Sequence, residues 1–307
     1  MTQAIIVAQN LKKSYGELAA LKGISFQIAP GECFGFLGRN GAGKSTAMRM
    51  IYGLTTVDSG QLTVLGEKIS LTPPSVKRRL GVVPQDDNLD TELSVLDNLV
   101  VYAGFYGIAR AEAVRRGWEL LEFMGLSDKA AEEVEELSGG LKRRLVIARA
   151  LVNKPEIVIL DEPTTGLDPN ARRLVWQKLR LLKSEGVTLV LTTHYMEEAA
   201  QLCDRVVIMD EGVIMAEGSP AELVERYVLP FVIEVHAVME EPASLTAELA
   251  AMGAELLKTE NDVMIFARDG KQVWDKLAGL GIPQHACLLR PSQLEDVYLK
   301  LVGRGVL

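Results

Sequence analysis

The spacing of apolar residues along the chain predicts short strands that alternate with amphipathic helices. Residues 4–10 and 24–29 alternate between apolar and polar positions, as half-buried strands do. Residues 157–160 and 188–191 are instead continuous apolar runs, typical of parallel strands that are buried on both faces. Helical spacing covers 94–135, 140–152 and 170–184. This order of elements predicts an α/β protein with a mixed or parallel central sheet.

The pattern changes near residue 228, where we expect a second and smaller domain. Just before it, Ser219, Pro220 and Glu222 predict the start of a helix, since they supply a cap, a proline at the first helical position and a capping-box glutamate. The following strand-like stretches are 231–238, 254–258 and 262–267, and the helical ones are 243–252, 270–279 and 293–301. We therefore expect a nucleotide-binding domain at 1–227 and a small C-terminal α+β accessory domain at 228–307.

The composition is that of an ordinary globular protein, and it disfavours several classes of function. The 307 residues include 41 acidic and 33 basic side chains, for a net charge of −8. Nucleic-acid binders usually carry a basic surface, so no nucleic-acid partner is expected. Cys33, Cys203 and Cys287 lie far apart and form no metal-binding pair, which predicts reduced thiols. We find neither a signal peptide nor the ~18 consecutive apolar residues that a membrane-spanning helix needs.

A glycine-rich segment, residues 38–45, has the spacing GxxxxGKS of a phosphate-binding loop. It follows an apolar run at 33–37 and precedes a predicted helix at 46–54, the strand–loop–helix context that this motif requires. Its glycines let backbone N–H groups point at anionic oxygens, and the start of the helix adds positive potential. Lys44 is predicted to reach the β- and γ-phosphates, and Ser45 to ligate Mg²⁺. The other predicted nucleotide-binding positions here are Gly38, Asn40, Gly41, Ala42, Gly43 and Thr46.

Two carboxylates, Asp161 and Glu162, end the buried run at 157–160. Charged groups at the end of a buried strand are costly, which indicates that they have a function there. Adjacent strand residues point to opposite faces, so the two side chains cannot share one role. We predict that Asp161 holds Mg²⁺ and that Glu162 polarises the attacking water as a general base.

Residues 137–144, which we call the signature segment, read Leu-Ser-Gly-Gly-Leu-Lys-Arg-Arg and open a predicted helix. With the phosphate loop and the acidic pair, this segment resembles the signature of ABC ATPases, and the resemblance covers about residues 4–227. Leu141 stands where that family usually has glutamine. An apolar residue there, followed by Lys-Arg-Arg, resembles the ATPases of drug-resistance and nodulation-factor exporters, and residues 193–199 and 290–298 are similar to that group as well.

The resemblance implies a P-loop NTPase fold of ABC type, with an antiparallel β region and a helical subdomain at about 86–150. It also implies that two chains bind ATP between them as a head-to-tail homodimer. Ser138, Gly139 and Gly140 of each chain would then cover the γ-phosphate held by the loop of the other chain. Asp168 is similar to the aspartate that links the two sites across such a dimer.

Three further residues match single positions of the same family. Gln85 resembles the glutamine that touches Mg²⁺ and the attacking water, and His194 resembles the histidine that contacts the γ-phosphate. Tyr15 resembles the aromatic residue that stacks on adenine, in keeping with the affinity of aromatic faces for bases.

The basic run Lys142, Arg143 and Arg144 lies near the end of a helix where the macrodipole does not favour positive charge. The favoured interpretation is a solvated face. Attraction of nucleotide phosphate, or contact with another segment, is the alternative.

The expected function is that of an ATP-hydrolysing exporter subunit, held at the cytoplasmic face of the inner membrane by separate integral membrane permease subunits. Candidates for that contact are Leu89, Leu93, Leu96, Phe105 and Tyr106. One alternative is a soluble ABC ATPase acting on ribosomes or DNA, although such proteins typically carry two motif sets or a long coiled-coil insertion. A P-loop GTPase or kinase is another, but it would give no reason for residues 138–140 or for His194.

Overall fold

In the computed structural model, residues 3–69, 73–236, 243–258, 263–280 and 282–303 are described. The chain forms two compact units, Met1–Glu217 and Gly218–Leu307. The sequence-based boundary lies after residue 227, so the helix that follows Ser219 is grouped with the second unit rather than the first. Parts of two predicted strands, at 237–238 and 262, lie outside the described residues.

The first unit is built on two sheets. The six-stranded sheet has the order β10-β9-β3-β8-β7-β6, and its neighbouring strands β9, β3, β8, β7 and β6 pair in parallel. The four-stranded sheet has the order β2-β1-β4-β5 and is antiparallel. The strands are β1 Ile6–Tyr15, β2 Leu18–Ile28, β3 Cys33–Leu37, β4 Ser59–Val64, β5 Glu67–Lys68, β6 Leu80–Val83, β7 Ile157–Asp161, β8 Thr188–Thr193, β9 Arg205–Asp210 and β10 Val213–Gly218.

Seven α-helices are described in the first unit. They are α1 Lys44–Ile51, α2 Pro74–Lys77, α3 Val95–Phe105, α4 Arg110–Met124, α5 Gly139–Ala150, α6 Pro169–Ser184 and α7 Met196–Leu202. The strands β3, β7 and β8 are buried at every position, as expected for parallel strands covered on both faces. One apolar core runs from the antiparallel sheet through α1 to the parallel sheet, so the loop before α1 is fixed from both sides.

The predicted helical stretch at 94–135 consists of two helices and two short 3-10 turns. Helices α3 and α4 have a small core of their own around Val100, Ala103 and Ala113. Leu96 and Tyr106, two of the candidates for a membrane-subunit contact, pack against this core, whereas Phe105 leaves 80% of its surface exposed.

The second unit contains α8 Pro220–Tyr227, β11 Phe231–Val235, α9 Ala243–Ala251, β12 Glu255–Lys258, β13 Val263–Ala267, α10 Gly270–Gly279, β14 Cys287–Pro291 and α11 Leu294–Val302. From β11 to β14 the order is βαββαβ, and the antiparallel sheet has the order β12-β13-β11-β14, a ferredoxin-like arrangement. Leu249, Val273 and Leu277 of α9 and α10 pack in the core of one sheet face. At the other side, Arg290 of β14 binds Glu234 of β11 and the buried Asp296 of α11. The predicted capping box of Ser219 and Glu222 starts α8.

Candidate nucleotide site

A cleft of about 800 Å³ opens at the phosphate loop. Its walls come from the hairpin of β1 and β2, the phosphate loop and the residues that follow β6, β7 and β9. The residues that line it are Tyr15, Glu17, Leu18, Ala19, Ala20, Lys22, Asn40, Gly41, Ala42, Gly43, Lys44, Ser45, Thr46, Gln85, Glu162 and Glu211. The structure thus brings Tyr15, the loop, Gln85 and Glu162 together, although they are up to 147 residues apart in the chain (162 − 15).

Two glycines of the loop are required by close contacts. Gly43 has φ +100°, and a Cβ atom there would lie 2.7 Å from the carbonyl oxygen of Ala20. At Gly38 a Cβ would lie 2.4 Å from the carbonyl oxygen of Met209. The loop is therefore pressed against neighbouring strands, and only glycine fits both its shape and its surroundings.

Lys44 is the first residue of α1 and is only 4% exposed. Its ammonium donates to the carbonyl oxygens of Gly38 (2.7 Å) and Arg39 (3.1 Å), and lies 4.0 Å from Oε1 of Glu162. Burial lowers the pKa of Lys44, while the nearby Glu162 and Asp161 carboxylates raise it. The side chain is thus a largely desolvated cation at the start of a helix, well placed to attract phosphate.

Asp161, at the end of β7, is held by two hydroxyl groups. Ser45 donates to its Oδ1 at 3.1 Å, and Thr192 donates to the same oxygen at 2.5 Å. The contact with Thr192 follows from strand register, because Asp161 and Thr192 are paired residues of β7 and β8. Sequence reasoning missed Thr192 as a site residue, since the signal lay in the pairing of two strands rather than in a motif.

Glu162 adopts a left-handed backbone conformation, φ +48°, which is unusual for a residue with a side chain. Its N–H donates to the carbonyl and hydroxyl oxygens of Thr192, each at 3.1 Å. Thr165 donates from its hydroxyl to Oε2 of the same carboxylate at 3.1 Å. Nδ1 of His194 lies 3.3 Å from Oε2, without the alignment of a hydrogen bond. The predicted base and the predicted phosphate-contacting histidine are therefore adjacent.

Tyr15 ends β1 at the rim of the cleft and leaves 46% of its surface exposed. Its hydroxyl lies 3.4 Å from Oγ1 of Thr55, and the ammonium of Lys13 lies 5.5 Å from the ring centroid. Lys13 is in turn paired with Asp58 at 2.6 Å. One face of an aromatic ring, anchored at its edge, is thus available for stacking.

The predicted signature residues do not line the cleft of their own chain. Ser138 is the N-cap residue of α5, but its hydroxyl accepts no capping hydrogen bond. A Cβ atom added to Gly139 would meet no atom of the described part of the chain within 4 Å, and Gly139 has no positive φ. Gly140 is more confined, with Ala171 Cβ at 3.2 Å from such an atom.

Asp168 likewise does not line the cleft, and within its own chain it caps a helix. It is the N-cap of α6, where Oδ1 accepts from the N–H groups of Asn170 (2.9 Å) and Ala171 (3.0 Å). Its predicted role between two chains stays a prediction.

The favoured interpretation of Lys142, Arg143 and Arg144 as a solvated face is wrong for the two arginines. Arg143 is buried at 4% exposure, and its guanidinium donates to several carbonyl oxygens behind the cleft. Arg144 donates to the carbonyl oxygens of Met124 and Gly125 at the end of α4. Lys142 is half-buried, and its ammonium donates to the carbonyl oxygen of Glu135 at 3.3 Å. Contact with another segment, the alternative, describes both arginines.

The fold and the cleft define a P-loop nucleoside triphosphatase with a helix, α5, whose N-terminus lies outside the cleft of its own chain. Known proteins narrow this class. The family model of the ABC transporter matches residues 21–165. Nod factor export ATP-binding protein I of Burkholderia thailandensis is 45% identical over 304 residues, covering 99% of both chains. That of Rhizobium meliloti is 46% identical over 303 residues, covering 99% of this chain and 89% of the relative.

Solved structures agree with these sequence matches. A dimeric ATP-binding cassette in a post-hydrolysis state, bound to ADP and Pi, superposes with a TM-score of 0.64 at 29% identity, covering 70% of this chain and 98% of that one. CbiO1 from Clostridium perfringens, part of the ABC transporter complex CbiONQ, has a TM-score of 0.67 at 30% identity, with 73% and 91% covered.

The chain belongs to the ATP-binding proteins of ABC transporters. The expected ABC fold is confirmed, and so is the expectation of an ATPase subunit of an exporter. No helix among the described residues has both the length and the apolar character needed to cross a membrane.

Proposed function

We propose that two copies of this chain bind two molecules of Mg-ATP between them and drive a Nod factor type exporter through separate membrane subunits. The observation that supports the proposed dimer is the open space beside Gly139. Neither its backbone angles nor its neighbours among the residues that the structure describes require glycine there. A glycine at the exposed start of a 12-residue helix is explained when a phosphate of the other chain's nucleotide approaches that helix end.

The chemistry proposed for each site follows from the groups that surround the cleft. Glu162 accepts a proton from the attacking water, which raises the nucleophilicity of the water oxygen. Lys44 neutralises charge on the β- and γ-phosphates, and His194 beside the base contacts the γ-phosphate. Tyr15 stacks on adenine at the far end of the cleft. Ser138, Gly139 and Gly140 of the second chain close the site over the γ-phosphate.

The oxygen donors near Lys44 fit a bound Mg²⁺. Ser45 Oγ and Asp161 Oδ1 lie 3.1 Å apart, and Gln85 lines the same cleft. Mg²⁺ prefers such oxygen ligands, and it is usually held by one or two carboxylates together with substrate phosphates rather than by a full protein cage. When bound, the ion would neutralise charge that develops on the phosphates, while Ser45, Asp161 and Gln85 orient it.

The proposed membrane partner would dock on α3. Val101 and Phe105 are one helical turn apart on this helix, with exposures of 47% and 80%. Exposed apolar side chains at such spacing suit contact with another helix. This contact would place the chain at the cytoplasmic face of the membrane. The names of the relatives state Nod factor export, and we extend this cargo class, a lipo-oligosaccharide, to the present chain.

The dimer is tested with Glu162→Gln, which keeps the size of the side chain but removes the base. We expect it to bind Mg-ATP and to elute from a sizing column as a dimer, whereas the wild type hydrolyses ATP and separates. Gly139→Asp in the same background is the control, and it should remain monomeric. A Glu162→Gln chain that is monomeric at saturating Mg-ATP would contradict the dimer.

The membrane partner is tested by purifying the tagged chain from its native membranes in mild detergent and identifying what is bound. A polytopic membrane protein in near-equal amount is expected, and Phe105→Glu should reduce its recovery without changing ATP turnover of the isolated chain. Recovery of ribosomal or DNA-bound proteins instead would contradict the transporter proposal. Export of the cargo class is then tested with the two subunits in vesicles.

A further inference from the structure

One buried guanidinium lies behind the cleft and contacts the main chain of two separate loops. Arg143 is in the second turn of α5, and its side chain is 5% exposed. Towards the end of β7 it donates to the carbonyl oxygens of Asp161 (3.0 Å), Glu162 (3.0 Å) and Pro163 (2.7 Å). These are three successive residues, and the first two are the predicted metal ligand and the predicted base.

The same guanidinium also holds the loop after β6. It donates to the carbonyl oxygens of Pro84 (2.6 Å) and Gln85 (3.3 Å), and Nη1 lies 3.4 Å from Oδ1 of Asp87. The main chain at Gln85, Asp161 and Glu162 thus shares a single donor group. These are three of the residues to which we assign metal binding and water activation.

The contact with Glu162 bears on a strained part of the backbone. Its left-handed conformation is sparsely populated for residues with a side chain, and persists only where the surroundings determine it. Thr192 fixes the N–H side of that residue, and Arg143 fixes its carbonyl side. The direction of the Glu162 carboxylate therefore depends on both neighbours.

Only arginine can make this set of contacts from α5. Its planar guanidinium carries five N–H donors in a fixed fork, so that Nε and Nη2 serve one loop while Nη1 serves the other. A lysine ammonium is a single point with three donors, and it cannot reach both loops with the same geometry. Glutamine has one donor group and would satisfy one loop at most.

We propose that Arg143 is a positioning residue that fixes the Mg²⁺ ligands and the base relative to the start of α5. Since the start of α5 is the part of the chain proposed to meet the nucleotide of the second copy, Arg143 would link the two sites of the dimer. Closure of one site on residues 138–140 would set the geometry of Gln85, Asp161 and Glu162 in the other. The link between the two sites rests on the proposed dimer, whereas the positioning role rests on the contacts within one chain.

The test is Arg143→Lys in the full chain, with steady-state ATP turnover measured against both ATP and Mg²⁺. We expect kcat to fall by about tenfold to a hundredfold, because small errors in the position of reacting groups are costly. The KM for ATP should stay within about twofold, since uniform binding is unaffected. The Mg²⁺ concentration for half-maximal rate should rise, because Gln85 and Asp161 lose their common support.

The matched control is Arg116→Lys. Arg116 is also partly buried and donates to a main-chain carbonyl, that of Val152, but it lies on α4 away from the cleft. It should leave kcat and the Mg²⁺ dependence unchanged. If Arg143→Lys does not fold, Arg143→Gln provides the same test without a buried, poorly paired charge.

The outcomes separate this inference from the dimer itself. A Glu162→Gln chain that dimerises in Mg-ATP, together with an Arg143 variant of normal kcat and normal Mg²⁺ dependence, would overturn the positioning role and leave the dimer standing. A fall in kcat that only follows a loss of folded protein, with the Mg²⁺ curve unchanged, would also overturn it. A Glu162→Gln chain that stays monomeric removes the proposed link between sites, whereas the shift in Mg²⁺ dependence would still support positioning.

Discussion

The phosphate loop and the signature segment both lead into a helix with a glycine-rich start, but their glycines have different causes. At Gly43 the positive φ and the contact with Ala20 explain the residue entirely within the chain. At Gly139 the φ angle is not positive, and an added Cβ atom would have no neighbour within 4 Å among the described residues. Lys44 beside the first is tied to loop carbonyls, while the Ser138 hydroxyl beside the second caps nothing. The phosphate loop is thus explained by the fold of one chain, whereas the proposed dimer gives the reason for glycine at the start of α5.

Glu162→Gln is expected to have the largest effect of these changes, a loss of ATP turnover at the site beside the phosphate loop. Loss of a general base typically costs about 10²–10⁴-fold in turnover, while nucleotide binding should persist because Lys44 and the loop are unchanged. Turnover of ATP and binding of a fluorescent ATP analogue are the two measurements. Residual turnover close to that of the wild type would show that another group takes the proton.

Gly139→Asp tests whether the glycine at the start of α5 is needed for the proposed contact between two chains. An acidic residue in the first turn stabilises an isolated helix by about 0.3–1 kcal/mol, and the new Cβ meets no atom of the described residues within 4 Å. The monomer should therefore unfold at the same or a higher temperature, yet turnover should fall by at least about tenfold, since the carboxylate repels phosphate. A large fall in melting temperature would mean that Gly139 is required by its own chain after all.

Thr192→Val tests whether the hydrogen bonds of Thr192, a residue outside the motifs, hold Asp161 and Glu162 in place. The change removes a buried donor to the Asp161 carboxylate and one of the two acceptors of the Glu162 N–H. Loss of a hydrogen bond to a charged group should cost about 1.5–3 kcal/mol of stability. Turnover should fall by about tenfold through misplaced carboxylates. Denaturant unfolding and turnover check the two parts, with Thr192→Ser as the variant that should restore both.

Asp168 gives the smallest expected effect and separates a local from an intersubunit role. Asp168→Ala removes the cap of α6 and should cost about 1 kcal/mol, whereas Asp168→Asn keeps a capping oxygen and should cost little. Thermal unfolding measures this difference. If the asparagine variant keeps its stability but loses turnover, the negative charge has a task beyond the cap.

The sequence predicted the strand and the helix on either side of the phosphate loop, but it did not predict every strand of the surrounding sheets. The strand at 33–37 and the helix at 270–279 have the predicted first and last residues. The strand lies between Pro30-Gly31 and the glycine-rich loop, so both of its ends are marked in the sequence. The strands β4 and β14 were not predicted. The first three residues of β4, which include Ser59 and Gly60, are exposed, and β14 carries Arg290 and ends in Pro291, so neither strand is apolar along its whole length.

The candidate site shows the same division. Residues in motifs, such as Lys44, Ser45 and Glu162, line one cleft, and their roles there stay predictions. Thr192 and Arg143 act through groups that are distant in sequence: one through strand pairing, the other through main-chain carbonyls that any residue type would offer. Burial of an arginine is a property of the surrounding packing, so an exposed face was the natural but incorrect expectation for it.

The open space beside Gly139 in the described part of the chain has a genetic consequence. A chain altered at this position should fold, bind ATP and pair through its intact phosphate loop with an unaltered copy. In a cell that makes both versions, mixed pairs would form and carry one incomplete site each. Such an allele is expected to be dominant over the normal one, whereas alleles that prevent folding would be recessive.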